Sequence, residues 1–144
     1  MPIYQCSSQV GLLTDDMKAQ IANAITDAHV EATGAPRLFV HVYFNQLPPG
    51  VSYSAGEPDK KLSGIQGAVR AGRSLEVNQK LIQTIVASWS KITGQPAKEV
   101  LAGLTEINSD ITMEYGLILP HPGGETEWFA KNADALDGIS GTGL

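Results

Sequence analysis

A chain whose second half copies its first at a fixed offset can fold in few ways, and here the offset is 60 residues. Moved forward by that amount, Thr33-Gly34-Ala35-Pro36 falls on Thr93-Gly94-Gln95-Pro96, Ile25 on Ile85, Val40 on Val100 and Thr14 on Ser74. Helix starts, core positions and helix stops thus keep one register. In the first copy, residues 2–8 read as a strand followed by a turn at Gly11. Thr14 is a helix N-cap, with Asp15 and Asp16 complementing the helix dipole. Met17, Ile21, Ile25 and Ala28 recur at helical spacing to about Thr33, and Gly34 and Pro36 stop the helix. Leu38 to Phe44 reads as a strand, and the Pro- and Gly-rich residues 45–63 as a long loop. In the second copy, Gly64 to Arg70 is strand-like and Ser74 is the cap. Val77, Leu81, Ile85 and Trp89 mark the helix, and Val100 to Thr105 the closing strand.

Each copy is therefore a β-α-β unit with parallel strands and a helix crossing one face. The fold expected is α/β (α+β): a four-stranded sheet with two helices on one side. Its other face is left bare, so subunits are expected to pack sheet faces inward as an oligomer. One domain over 1–144 accounts for the chain, with repeat one at about 2–47, repeat two at about 62–107 and a C-terminal arm at about 108–144. In the arm, Pro120 to Gly124 forms a turn, Trp128-Phe129 pins a short helix onto a neighbour, and the end from Gly138 to Leu144 frays.

Composition narrows the function. A net charge of −5 without a basic run argues against nucleic acid, and the apolar runs are too short for a membrane helix. Cys6 is the only cysteine, which excludes an intrachain disulfide and fits a reducing compartment. With no signal peptide evident, a soluble cytoplasmic protein is expected.

The residues that carry chemistry begin at the chain start. If Met1 is removed, the Pro2 nitrogen changes from a tertiary amide to a secondary amine. An α-amino group titrates at about 8, and apolar burial lowers that value into the range of proton transfer at neutral pH. Arg70 closes a strand and Arg73 precedes a helix cap, where free backbone N–H groups also favour an anion. Two guanidiniums there suit a carboxylate. His29 lies near the apolar helix face and reads by itself as a half-buried packing histidine. Glu114 reads by itself as an exposed loop carboxylate. His41 alternates with Phe39 and Tyr43, which suggests packing or an interface, and His121 sits between prolines at a possible pocket mouth. Arg37 reads as a surface or interface group, and Tyr4 and Trp128 as packing residues. His29, His41, His121 and Cys6 lack metal-ligand spacing, so no metal site is expected.

Four short motifs in register with Pro2 bring these residues together. They are Ala24-Ile25-Thr26-Asp27-Ala28-His29, Arg70-Ala71-Gly72-Arg73-Ser74, Met113-Glu114-Tyr115-Gly116, and Pro120-His121-Pro122-Gly123 running to Glu127-Trp128-Phe129. With these motifs the chain resembles the 4-oxalocrotonate tautomerase superfamily, and within it the cis-3-chloroacrylic acid dehalogenase group. The resemblance implies a tautomerase/MIF-like fold assembled as a trimeric barrel, working without metal or organic cofactor on a small carboxylate substrate. It implies Pro2 as catalytic acid or base, Arg70 and Arg73 on the substrate carboxylate, His29 in polar contact with substrate, and Glu114 activating water. Two departures stand out. The dehalogenase has a tyrosine where this chain has Gly103, and an arginine where it has Leu117. Both weaken water addition, so the expectation is a tautomerase acting on 2-keto (enol) acids, with weak dehalogenase or hydratase activity on cis-3-haloacrylates. A true dehalogenase and a cytokine-like binding module are the alternatives.

Overall fold

The computed structural model describes residues 1–139, and its element order doubles as the repeat requires. The first unit is β1 (Ile3–Gln9), α1 (Asp15–Thr33) and β2 (His41–Leu47). A small hairpin of β3 (Tyr53–Ser54) and β4 (Glu57–Pro58) leads to the second unit. That unit is β5 (Ser63–Arg70), α2 (Leu75–Thr93) and β6 (Val100–Ile107). A second hairpin, β7 (Met113–Glu114) and β8 (Leu117–Ile118), precedes α3 (Glu125–Leu136).

The caps explain why both long helices start and stop in register. Thr14 and Ser74 hold the first-turn amides of Met17 and Val77 at 3.1 and 3.3 Å. Gly34 and Gly94 end the helices in the left-handed conformation, at φ 70° and 76°. The four-stranded sheet runs β2-β1-β5-β6, parallel within each unit and antiparallel where β1 meets β5. One face buries Tyr4, Cys6, Ile65 and Val69 under Ile21, Ile25, Leu81, Ile85 and Trp89 of the helices. Tyr4 stands opposite Gly67, where a Cβ would come within 2.7 Å of the Tyr4 ring and 2.6 Å of Leu104 Cδ2. A glycine there makes room for the phenol, whose hydroxyl then reaches α1. The other face is bare, with Leu101 and Tyr43 68% and 51% exposed.

The structure corrects three expectations. The second strand begins at His41 rather than Leu38, because the chain after Pro36 makes a 3-10 turn over Arg37–Phe39. That turn buries Leu38 and Phe39 in a separate apolar cluster with Leu119. Trp128 and Phe129 pack here too, 5.6 and 5.7 Å from the Phe39 ring, so α3 is pinned to its own chain. The long loop is also shorter than expected, since β2 runs to Leu47 and the β3–β4 hairpin occupies the middle.

Both hairpins turn through two residues of positive φ, Ala55-Gly56 and Tyr115-Gly116, the backbone of a type I′ turn. They too stand 60 residues apart, so the repeat runs further than the sequence reading carried it. Among the described residues, no helix is long and apolar enough to cross a membrane. The fraying expected at the C-terminal end lies, from residue 140 on, outside the described residues.

Candidate active site

The chain start is buried and held at two points. Pro2 is among the most enclosed side chains, and its carbonyl accepts the His41 amide at 3.0 Å. Ahead of it, the Met1 amine pairs with Glu114 Oε2, while Glu114 Oε1 pairs with His41 Nε2. The β7–β8 turn presents Glu114. Tyr115, beside it, is held at φ 54° with its hydroxyl donating to the Leu38 carbonyl at 2.6 Å. Burial lowers the amine from 8.0 to about 6, with the Arg70 charge adding to the fall and the Glu114 hydrogen bond and charge opposing it. The Met1 amine is therefore mostly neutral at pH 7.

The two candidate arginines have different surroundings. Arg70 is 2% exposed; it donates to the Pro120 carbonyl at 2.6 Å and to the Glu125 carboxylate. Burial pushes the Glu125 carboxyl up, but the Arg70 hydrogen bond and charge, with backbone donors, hold it below its usual range. Arg73 is half-buried and donates to the Arg70 carbonyl at 3.3 Å. Among the described residues no carboxylate pairs with it. Burial and the Arg70 charge disfavour its cation. Of the two candidate arginines, Arg73 is therefore the one without a carboxylate partner among the described residues.

His29 points into the core side of the same region, with Nδ1 2.8 Å from the Tyr4 hydroxyl. Burial lowers its pKa to about 3, and the charges of Arg73, the amine and Arg70 add to the shift. The four groups thus share one electrostatic neighbourhood, and His29 is neutral at physiological pH. Because the folded pKa lies below the unfolded 6.5, the unfolded chain binds the extra proton between those values. Stability is therefore expected to fall as pH drops below about 6.5, by at most about 1.4 kcal/mol per pH unit for this group. Denaturant midpoints should show wild type losing ground against His29→Gln between about pH 7 and 4.

Beside the amine and Glu114 lies a cleft of about 470 Å³ with mostly apolar walls, including Met1, Ile3, His41, Tyr43 and Ile107. It opens on the bare face of the sheet. Gly103 lies on that face too, against Gln66, and so leaves it without a side chain at that point. His121 stands apart, largely exposed, with Asp110 3.1 Å and Ser109 Oγ 3.2 Å from its ring. Arg37 is exposed and pairs with Asp27. Among the described residues, no three His, Cys, Asp or Glu side chains group to hold a metal ion.

Two participants escaped the sequence reading. His41 reads as a packing residue yet touches Glu114, and Glu125 carries no motif signal yet engages Arg70. The parallel pairing of β1 with β2, which sets His41 beside Ile3, is the one signal that places His41 near the chain start.

These residues can be compared with known proteins. A family model described as "Putative oxalocrotonate tautomerase enzyme" matches residues 1–133. The chain belongs to the tautomerase superfamily. Its fold is similar to that of N1, a member of the cis-3-chloroacrylic acid dehalogenase family. The TM-score is 0.86 and the identity 30%, covering 94% of this chain and 99% of that one. The "Q0 fused 4-OT wild type symmetric trimer" is 25% identical with a TM-score of 0.73, covering 81% of this chain and 94% of that one. "Probable tautomerase LL0574" of Lactococcus lactis subsp. lactis (strain IL1403) is 46% identical over 48 residues, which is 33% of this chain and 79% of that protein. A match of that length is about the size of one β-α-β repeat of this superfamily member.

Proposed function

We propose that this chain, acting as one domain over its two repeats and C-terminal arm, is a cofactor-independent tautomerase of 2-keto (enol) acids. Removal of Met1 frees the Pro2 nitrogen, which then takes the proton of the substrate's 2-enol hydroxyl and delivers it to the adjacent carbon, C3, as the C=C bond gives way to the 2-keto group. Arg73 meets the substrate carboxylate, with Arg70 behind it, and together they stabilise the enolate that develops. Neutral His29 offers a polar contact. The apolar cleft suits a flat or aromatic side chain.

One observation carries this reading over its rival. Burial lowers the Met1 amine to about 6, and the enclosed Pro2 nitrogen, once freed, meets the same desolvation and the same Arg70 charge, which favour a neutral amine acting as a base. Addition of water needs the opposite, a cationic amine that protonates carbon while Glu114 directs water. Glu114 does stand against the amine, so dehalogenation or hydration remains a weak second activity of the same site. We further propose a homotrimer whose subunits cover the bare sheet face and the exposed Ile111 and Met113, as the trimeric fused relative suggests. A lone, buried Cys6 fits a reducing, cytoplasmic setting.

The test compares two reactions on protein shown by mass spectrometry to have lost Met1. Enol-to-keto conversion of phenylpyruvate should outrun chloride release from cis-3-chloroacrylate. Chloride release as the faster reaction would overturn the assignment in favour of a dehalogenase.

A further inference from the structure

We propose that His41 is a positioning residue, holding Glu114 so that the second carboxylate oxygen is aimed at the terminal amine. This rests on the reading of Pro2 as the acid–base group and adds a residue to that site.

The geometry is a relay across three separate elements. His41 opens β2, where its backbone N–H already ties to the Pro2 carbonyl at 3.0 Å. Its ring nitrogen Nε2 meets Oε1 of Glu114 on β7, and Oε2 of the same carboxylate meets the Met1 amine, one residue before Pro2. A free glutamate carboxylate swings about three side-chain torsions, and a hydrogen bond to one oxygen fixes where the other points. Glu114 is only 10% exposed, so water does not replace that restraint fully. The charged or titratable groups facing it are few. They are His41 from β2, the amine ahead of β1 and the Tyr115 phenol on its own hairpin, while Arg70 of β5 acts on the amine from elsewhere. The Tyr115 hydroxyl is spent on the Leu38 carbonyl, which leaves His41 as the donor that fixes Glu114 among the described residues.

The consequence is measurable at Pro2 itself. Glu114 holds the Met1 amine's affinity for its proton up; with Met1 gone, Pro2 carries the terminal amine, so loosening Glu114 is expected to lower the pH at which Pro2 titrates. The protein lacking Met1 is prepared with carbon-13 proline, and the Pro2 ring-carbon shifts are followed by NMR from about pH 4 to 9. Glu114→Gln sets the full downward shift. His41→Leu, which removes the donor, should move the midpoint the same way by about half a pH unit or more. His41→Gln, which restores a donor at similar reach, should return it towards wild type. The double variant with Glu114→Gln should titrate where Glu114→Gln does. His41→Ala provides a second donor-free variant if the leucine form is poorly folded. A midpoint unchanged or raised in the donor-free variants overturns the role of His41 while Pro2 keeps its own. A wild-type Pro2 that does not titrate in this range overturns both.

Discussion

Pro2→Ala, with Met1 removed, is expected to lower kcat/KM for phenylpyruvate tautomerisation by about 100-fold or more. Alanine leaves a terminal amine, but a primary one on a freely rotating backbone rather than a ring nitrogen fixed at the head of β1. Because Pro2 is enclosed, its ring fills space that alanine leaves empty, so the loss combines altered basicity with lost orientation. Arg73→Ala in parallel should fall mainly on KM, since its guanidinium is the one not already committed to an internal carboxylate. Both variants should keep the proposed trimer. A Pro2→Ala protein with unaltered turnover would mean that the chemistry lies elsewhere, and a pocket silent in every variant would favour the binding-module reading.

Glu125→Ala is expected to destabilise the fold by about 3 kcal/mol, because it strips the carboxylate from a guanidinium that solvent cannot reach. For a chain of this size that lowers Tm by roughly 10 °C. Glu125→Gln, which keeps the volume and one acceptor, should cost less. The pH dependence has a definite sign. Arg70 and backbone donors depress the Glu125 carboxyl, so its contribution is present above the carboxylate's unfolded pKa and is lost as pH falls through the lower folded value. The same variant tests how the carboxylate subsite is shared. If Glu125→Ala melts within about a degree of wild type and binds substrate carboxylate more tightly, Arg70 is available to substrate instead of fastening α3.

The repeat was legible because its signals are local. A Ser or Thr cap, an apolar stripe and a Gly-Pro stop each act within one helix, and Thr14, Ser74, Gly34 and Gly94 do what their residue types favour. The start of β2 was misread because Leu38 and Phe39 are apolar for another reason, the small cluster under α3, which lies far along the chain. The site divides the same way. Arg70, Arg73, His29 and Glu114 sit in short motifs that a family resemblance exposes. The pairs His41–Glu114 and Arg70–Glu125 join positions 73 and 55 residues apart, and no spacing rule reaches that far. Tyr4 read as packing and does pack, yet it also tethers His29 through the room that Gly67 leaves.

The offset of 60 extends to both hairpins, so the place of Glu114 in the second unit is taken in the first by Ser54, and the head of β1 corresponds to Ser63 at the head of β5. At that twin corner the nitrogen that matches Pro2 is the amide of Leu62, an ordinary peptide nitrogen joined to Lys61 and unable to take up a proton. A doubled polypeptide therefore has two matching corners but a single loose end. An inhibitor titration should accordingly reach its end point at one equivalent per chain, however symmetric the backbone looks.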